Sequence, residues 1–351
     1  MHLRKTILIV LSAITIVSLA YAQAPPAAPF MTHPLKPNIY WIEGGGGNST
    51  VIVGDKGVIV VDAKTTPDQG KELLADIAKI TPKPVSTVIL THSDGDHVNG
   101  LASFPAGITI IAQANNKKEQ ETALTAGGRG APPADHLPTR VVSKNKENVK
   151  IDGVKLELLH WAPAHTSGDL VVFLPDEKIV ATGDIIAGNG DPLIHREKNG
   201  SSEGWITTVK GIAALDADVF VTGHGNTQTK ADIQNRLAAV TAKREKIKEL
   251  VAAGKSLDEI RAAVDPPPPE GRGGKGGGRG PNFPSFTEVV YQELTVKKSA
   301  SGPSFGLAAA CPRAAHRKGT ESGACCSGGI GSVREASAVA EPRSDREGQL
   351  D

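Results

Sequence analysis

A ten-residue stretch from Thr91 to Gly100 contains several side chains that can bind a metal ion. They are His92, Asp94, Asp96 and His97. Imidazole and carboxylate groups are ligands that Zn²⁺ and Fe²⁺ accept in proteins. The same spacing is compatible with a polar loop in which Asp94 or Asp96 caps the following helix. Further ligand-type residues recur downstream where predicted strands end, and this recurrence favours a metal site.

The elements that position these residues are predicted strands. An apolar, β-branched run from Val85 to Leu90 predicts a buried strand just before the first stretch. A strand end holds ligands rigidly, because the sheet ladder fixes its backbone while its last side chains project beyond it. His165, Asp184 and His224 are likewise predicted at or just beyond the ends of later strands. Strands alternating with helices in two halves predict a layered α/β fold with one convergent site.

These motifs resemble those of the metallo-β-lactamase-fold hydrolases. The first stretch is similar to the family's His-x-His-x-Asp-His motif, although Asp94 stands where the second His is usual. Segments 162–169, 182–184 and 222–225 resemble the Pro-Gly-His-Thr-x-Gly, Gly-Asp and Gly-His-Gly motifs, in the family's order. The resemblance runs from residue 38 to residue 297. It implies an αββα sandwich in which two mixed β-sheets are flanked by helices in four layers.

The resemblance also implies two metal positions. The first would use His92, Asp94 and His165, the second would use Asp96, His97 and His224, and Asp184 would bridge them. The residues alone indicate only the ligand types, and the grouping comes from the resemblance. The predicted catalytic residue is Asp96, which would also orient a metal-bound hydroxide by hydrogen bonding.

Several other residues are predicted to assist the site. Asp62 ends a run of valines and isoleucines, where a lone charge either fixes a turn or, as the resemblance implies, supports the metal-binding loop. His195, Asn189 and Asn226 are candidates for substrate contacts, with a loop hydrogen bond as the alternative for each. The glycine run 44–47 predicts either a mobile flap over the site or a featureless loop.

The expected cofactors are two divalent metal ions, with Zn²⁺ preferred and Fe or Mn also compatible. Two such ions ~3.5–4 Å apart share a hydroxide and lower the pKa of its parent water to ~7, so a nucleophile exists at neutral pH. Asp94 adds a negative charge where an imidazole is usual, which weakens the first metal as a Lewis acid and favours harder ions. Alternatively, Asp94 binds nothing and only one metal is held.

The predicted function is an exported hydrolase that opens an ester, thioester, lactone or lactam bond. Hydrolysis of β-lactams proper is an alternative, although lactamases of this fold usually lack an Asp at the position of Asp184. The resemblance at this position is instead to glyoxalase-II-like thioesterases, lactonases and phosphodiesterases. Two further alternatives are a non-haem iron oxidase or dioxygenase on the same fold and a non-catalytic periplasmic metal-binding protein. Every predicted ligand position carries a side chain that can bind a metal, and this favours an enzyme over a non-catalytic protein.

The start of the chain predicts export, and its last residues predict a disordered tail. Residues 1–22 have a basic start, an apolar run and a small-x-small cleavage site, which is typical of a secretory signal. An uncleaved anchor is the alternative, but the run is short for a membrane span of ~20 residues. We expect a periplasmic or secreted protein without a stable membrane anchor after cleavage. A linker (23–37), the hydrolase domain (38–298) and a disordered tail (299–351) would follow.

Composition limits the expected partners. The chain has 39 Lys and Arg against 38 Asp and Glu, so its charge gives no reason to expect nucleic acid or an anionic membrane as partner. A small-molecule substrate is the expected partner. The cysteines, Cys311, Cys325 and Cys326, all lie near the end. The predicted domain therefore has neither a disulfide nor a thiolate ligand.

Overall fold

The computed structural model describes residues 29–126, 132–265 and 283–295, and their strands form two mixed β-sheets. The predicted signal segment and tail lie outside these residues. The seven-stranded sheet has the order β1 (Met31–Lys36), β2 (Ile39–Glu43), β3 (Ser49–Val53), β4 (Val58–Val61), β5 (Val85–Ile89), β6 (Thr109–Gln113) and β7 (Arg140–Val142). The five-stranded sheet has the order β12 (Val219–His224), β11 (Ile179–Ala187), β10 (Val171–Leu174), β9 (Val154–Leu159) and β8 (Lys146–Ile151).

Helices connect and cover the strands. They are α1 (Pro67–Ile80), α2 (Gly95–Val98), α3 (Ala114–Thr125), α4 (Ser202–Ala214), α5 (Lys230–Ala252), α6 (Leu257–Val264) and α7 (Phe286–Thr295). Short 3-10 turns lie at Asn99–Ser103, Ala134–His136 and Arg196–Lys198. Within the described part of the chain, no helix combines the length and apolar character that a membrane crossing requires.

The four layers follow from the alternation of apolar side chains along the strands. In β4, Ile59 and Val61 face the space between the sheets, whereas Val58 and Val60 face α1 on the outside. The other outer face, that of the five-stranded sheet, is covered by helices that include α4 with Trp205. The predicted αββα sandwich is therefore confirmed.

Local sequence signals define helix α1, which supports a loop of the site. The Thr66 side chain accepts a hydrogen bond from the Gln69 amide, and Pro67 occupies the first turn, where a missing N–H costs nothing. Leu73 and Ile77, four residues apart, are buried against the sheet. The helix therefore fixes the loop between β4 and α1, which carries Asp62 and Lys64.

The second half of the predicted linker is wrong. Residues Met31–Lys36 form β1, an edge strand that pairs antiparallel with β2 and sets His33 opposite Trp41. Pro34 is tolerated because an edge strand forms its ladder on one side only, and the register shifts between Pro34 and Lys36. Residues 23–28 lie outside the described part of the chain.

Asp184 also lies elsewhere than predicted, inside a strand rather than after its end. Asp184 was predicted at or just beyond a strand end, whereas β11 continues past it to Ala187. Its parallel pairing with β12 shifts register on either side of Gly183, which has a φ of +53°. A side chain at Gly183 would also meet Thr91 Oγ1 at 2.4 Å. The glycine permits this irregularity, and the Asp184 carboxylate reaches the site from within the strand.

Candidate metal centre

The structure brings the predicted ligands together in two groups. In each group the ligand atoms all lie within 4.8 Å of one another: His92, Asp94 and His165 form the first, and Asp96, His97 and His224 form the second. Asp184 lies beside the second group, with Oδ1 3.1 Å from His97 Nε2 and Oδ2 3.3 Å from His224 Nε2. The grouping is the one that the family resemblance implied, and the bridging role of Asp184 stays a prediction.

The first stretch reaches the site through the short connection between β5 and α2. Asp94 occupies the N-cap position of α2, as the alternative interpretation of this stretch expected, but its side chain makes no capping hydrogen bond. Its carboxylate instead lies 3.1 Å from Nε2 of His165. Asp96 and His97 belong to α2 itself, and His224 is the last residue of β12. Capping therefore does not account for Asp94.

Two buried ligand atoms indicate that the site fits a metal ion. Nε2 of His92 and Oδ1 of Asp184 have no hydrogen-bond partner among the residues that the structure describes, although His97 Nε2 is close to the latter. A buried polar atom without a partner costs free energy. A divalent cation would satisfy both atoms, and imidazole nitrogen with carboxylate oxygen is a donor set that zinc, iron and manganese accept.

Asp62 orients one histidine of each group. Its Oδ2 accepts hydrogen bonds from Nδ1 of His97 at 2.8 Å and from the Thr91 hydroxyl at 2.7 Å. Because that hydroxyl donates to Asp62, its oxygen accepts from Nδ1 of His92, 2.9 Å away. Nε2 of both rings is left facing the site. Although the Asp62 carboxylate is close enough to His92 and His97 to act as a ligand, its oxygens are already engaged by these donors.

A separate loop holds His165. Nδ1 of His165 donates to the Leu193 carbonyl, 2.8 Å away, which directs Nε2 toward Asp94. The loop is organised by buried Asp169, which accepts hydrogen bonds from the amides of Ala164 and Thr166 and from the Thr166 hydroxyl. Burial raises the pKa of Asp169. Asp169 ends the 162–169 motif, and its supporting role was not predicted from the sequence.

The carboxylates and imidazoles of the two ligand groups compensate one another's charges. Burial alone would raise the pKa of Asp184, but His97 and His224 hold that pKa well below its usual range. The pKa of His224 is raised to about 9 by its contacts with Asp184 and Asp96. Burial lowers the pKa of His165, yet Asp94 outweighs it and the result is about 9. These histidines hold protons at neutral pH that a bound cation would replace.

Asp94 has two neighbours that the sequence did not connect with it. Nε2 of His195 lies 3.3 Å from Asp94 Oδ2, and Nζ of Lys198 lies 2.5 Å from Asp94 Oδ1. The buried His195 ring packs between His165 and Phe283, with ring centroids 4.6 Å from each. His195 therefore lies in the wall of the first group, and its contact with substrate stays a prediction. No motif marks Lys198.

Asn189 and Asn226, the other predicted substrate contacts, line a polar cavity of about 990 Å³. Its lining comes from the loops that begin at Gly188 and Gly225 and from helix α5, which contributes Arg236 among other residues. Among the described residues, no metal ligand lines this cavity. It begins immediately after His224 and has the size of a small-molecule site.

The glycine run is fixed against the metal loop. Nζ of Lys64, which is fully buried, donates to the carbonyls of Ile42 and Gly47 at 2.7 and 2.9 Å. The Gly47 amide donates to the Asp96 carbonyl at 3.1 Å. A Cβ at Gly47 would lie 2.2 Å from the His97 ring. The loop therefore packs on a predicted ligand and is held at both ends. It matches neither the predicted mobile flap nor the predicted featureless loop.

Known sequences and structures match this part of the chain. A family model described as the metallo-beta-lactamase superfamily matches residues 42–224. The alpha subunit of 2,4-dinitroanisole O-demethylase from Nocardioides sp. (strain JS1661) is 27% identical over 236 residues, which cover 67% of this chain and 66% of that protein. A type 2 metallo-beta-lactamase from Bacillus cereus is 25% identical over 185 residues, covering 51% of this chain and 66% of the lactamase. The chain thus spans just under two thirds of both relatives.

A solved structure supports the fold. The stereoselective inverting sec-alkylsulfatase from Pseudomonas sp. matches with a TM-score of 0.59 and 20% sequence identity. The match covers 69% of this chain and 46% of the alkylsulfatase. At this identity the likeness concerns the architecture and leaves the reaction open.

Proposed function

The chain belongs to the metallo-beta-lactamase superfamily, and from this premise we propose that it is a hydrolase whose clustered ligands hold two divalent ions, preferably Zn²⁺. The observation that carries the proposal is the convergence of the two ligand groups, in which buried His92 Nε2 has no hydrogen-bond partner among the described residues. When bound, the ions would supply a water nucleophile at neutral pH and polarise the oxygen under attack.

Exposure indicates where a substrate would approach. The side chains of His224 and Asp96 are 36% and 34% exposed, whereas His97 is completely buried. Substrate therefore enters on the side of the second group, next to the cavity that contains Asn189 and Asn226. These two amides would hold the polar part of the substrate by hydrogen bonds.

Asp96 is the residue best placed to handle a proton. Burial alone would raise the pKa of Asp96, but the hydrogen bond from His224 lowers it, so the group is ionised at neutral pH. An ionised, partly exposed carboxylate can accept a hydrogen bond from the attacking water and orient it. Asp96 thus combines the roles of ligand and positioner of the nucleophile.

For the substrate we propose an ester, thioester, lactone or lactam. The names of the relatives specify an O-demethylase, a lactamase and an alkylsulfatase, so the superfamily fold serves more than one kind of bond. Export to the periplasm or the medium is a further part of the proposal, and the pattern of residues 1–22 supports it.

The test pairs metal analysis with a substrate panel. The purified protein is assayed with an aryl ester, a thioester, a lactone, an alkyl sulfate and a chromogenic cephalosporin. We expect two ions per chain and turnover of at least one substrate. The Asp184→Asn variant should hold fewer than two ions and lose at least ~10-fold in rate. The Asp216→Asn variant, whose side chain is 83% exposed, should match the wild type.

Other outcomes would overturn the proposal or narrow its substrate. Redox-active iron with oxygen uptake and no hydrolysis would identify an oxidase on this fold. Full metal occupancy without turnover of any compound in the panel would identify a non-catalytic metal-binding protein. Turnover of the cephalosporin alone would narrow the substrate to β-lactams. A wild-type chain that binds no divalent ion would remove the metal centre itself.

A further inference from the structure

The ligand that departs from the family motif is paired with a lysine. Nζ of Lys198 lies 2.5 Å from Oδ1 of Asp94 and 2.9 Å from the Ser93 hydroxyl oxygen. The lysine side chain is 26% exposed and the aspartate side chain 13%, so water screens this ion pair only partly. The lysine therefore faces the residue that replaces the usual histidine.

The two oxygens of Asp94 face different partners. Oδ2 lies 3.1 Å from Nε2 of His165, 3.6 Å from Nε2 of His92 and 3.3 Å from Nε2 of His195. Oδ1 is the oxygen that contacts Lys198. One oxygen is thus directed at the imidazoles of the first group, and the ammonium occupies the other.

A network holds Lys198 in this position. The Ser93 hydroxyl accepts from Lys198 and donates to Glu119, which also accepts from the Ser167 hydroxyl. The Lys198 carbonyl accepts from the Ser167 amide at 2.8 Å, and the Lys198 amide donates to the His195 carbonyl. The lysine is therefore attached to the loop that supplies His165.

We propose that Lys198 is a positioning residue that neutralises the extra charge of Asp94 and holds it as a one-oxygen ligand. Three imidazoles would leave the first position with the charge of its ion alone. The Asp94 carboxylate lowers the net charge of this position by one, and the Lys198 ammonium raises it by one. The net charge therefore equals that of a position with three histidines. The lysine lies on the far oxygen, where it does not take a coordination place. The inference rests on the metal centre proposed above.

Charge compensation predicts that the effects of substitutions at Asp94 and Lys198 depend on each other. In Asp94→His the ammonium stays beside a dication without its carboxylate, so affinity for Zn²⁺ should fall at least ~10-fold. In Asp94→His/Lys198→Met the charge balance is restored, and affinity should return to within about threefold of wild type. Lys198→Arg keeps the charge and should retain wild-type affinity beside Asp94. Thermal melting of each metal-free variant checks that it folds.

The measurement is competition with a zinc chelator, read as bound metal per chain rather than as activity. Lys178→Met, which removes an exposed ion pair with Asp216, is the matched control and should leave affinity unchanged. If Asp94→His changes affinity by the same factor with Lys or Met at position 198, the inference is overturned while the metal centre stands. Wild-type protein without metal affinity would overturn both.

Discussion

Oδ2 of Asp62 lies 2.8 Å from Nδ1 of His97, and through the Thr91 hydroxyl the same oxygen also reaches Nδ1 of His92. A carboxylate can only accept hydrogen bonds, so it fixes the protonated nitrogen of the His97 ring and leaves Nε2 for a metal. One carboxylate therefore sets the orientation of a ligand in each group. Supporting residues of this kind commonly contribute strongly to metal affinity.

The first prediction concerns Asp62→Asn. Asn has nearly the same size and tolerates the φ of +64° at this position, but it replaces an acceptor oxygen with a donor amide. We expect the affinity for Zn²⁺ to fall about 10–100-fold, measured by chelator competition. Asp68→Asn, at a side chain that is 91% exposed, is the control. Unchanged affinity in the Asp62 variant would show that the ring orientations do not depend on it.

The second prediction is that metal binds more tightly as pH rises toward 9. Nearby carboxylates raise the pKa of His165 and of His224 to about 9, so both rings hold a proton at neutral pH that a metal must displace. Affinity should therefore rise by up to ~10-fold per pH unit for each proton released.

Calorimetry in buffers of different ionisation enthalpy would count these protons. His224→Gln should reduce the count, whereas His136→Gln, which alters a histidine outside the site, should not. An affinity that stays constant from pH 6 to 9 would contradict the protonated state of these histidines.

The third prediction concerns Gly47→Ala. The added Cβ would lie 2.2 Å from Cε1 and 2.4 Å from Nε2 of His97, a ring that Asp62 holds from its other side. We expect a loss of about 1–3 kcal/mol in the free energy of unfolding and reduced occupancy of the second metal position. Gly190→Ala adds a Cβ with nothing within 4 Å and serves as the control. Equal melting temperatures and metal contents for the two variants would contradict the close packing.

The fourth prediction concerns Lys64 and pH. Burial lowers the pKa of Lys64 from 10.5 to about 7, against opposing attraction from Asp62 and Asp76. Between these two values the unfolded chain binds the proton and the folded protein does not. The contribution of Lys64 to the free energy of unfolding therefore rises with pH across this range, by up to ~1.4 kcal/mol per pH unit.

Denaturant unfolding of wild type and Lys64→Met from pH 7 to 10 measures this contribution. The difference in free energy of unfolding, wild type minus variant, should increase with pH. For Lys71→Met, which removes an exposed ion pair with Asp68, the difference should stay constant. A constant difference for Lys64→Met as well would place the lysine in an environment open to water.

Short-range signals account for what could be predicted from the sequence. Helix α1 is an example, since its cap, its proline and its apolar spacing all lie within residues 66–80. The family motifs predicted the ligand types and their division into two groups, which the structure brings together. By contrast, β1 was missed because prolines and alanines precede and interrupt it, and its strand conformation depends on pairing with β2.

The sequence by itself determined the layered fold and the chemistry of the ligands, because apolar periodicity and motif spacing are local properties of the chain. Only the tertiary structure decided which charged groups lie close to one another. Lys198 is 104 residues away from Asp94, and the carbonyls that anchor Lys64 belong to β2 and to the loop that follows it. Attraction between charged groups depends on their distance in space and on burial, and neither quantity follows from their separation along the chain.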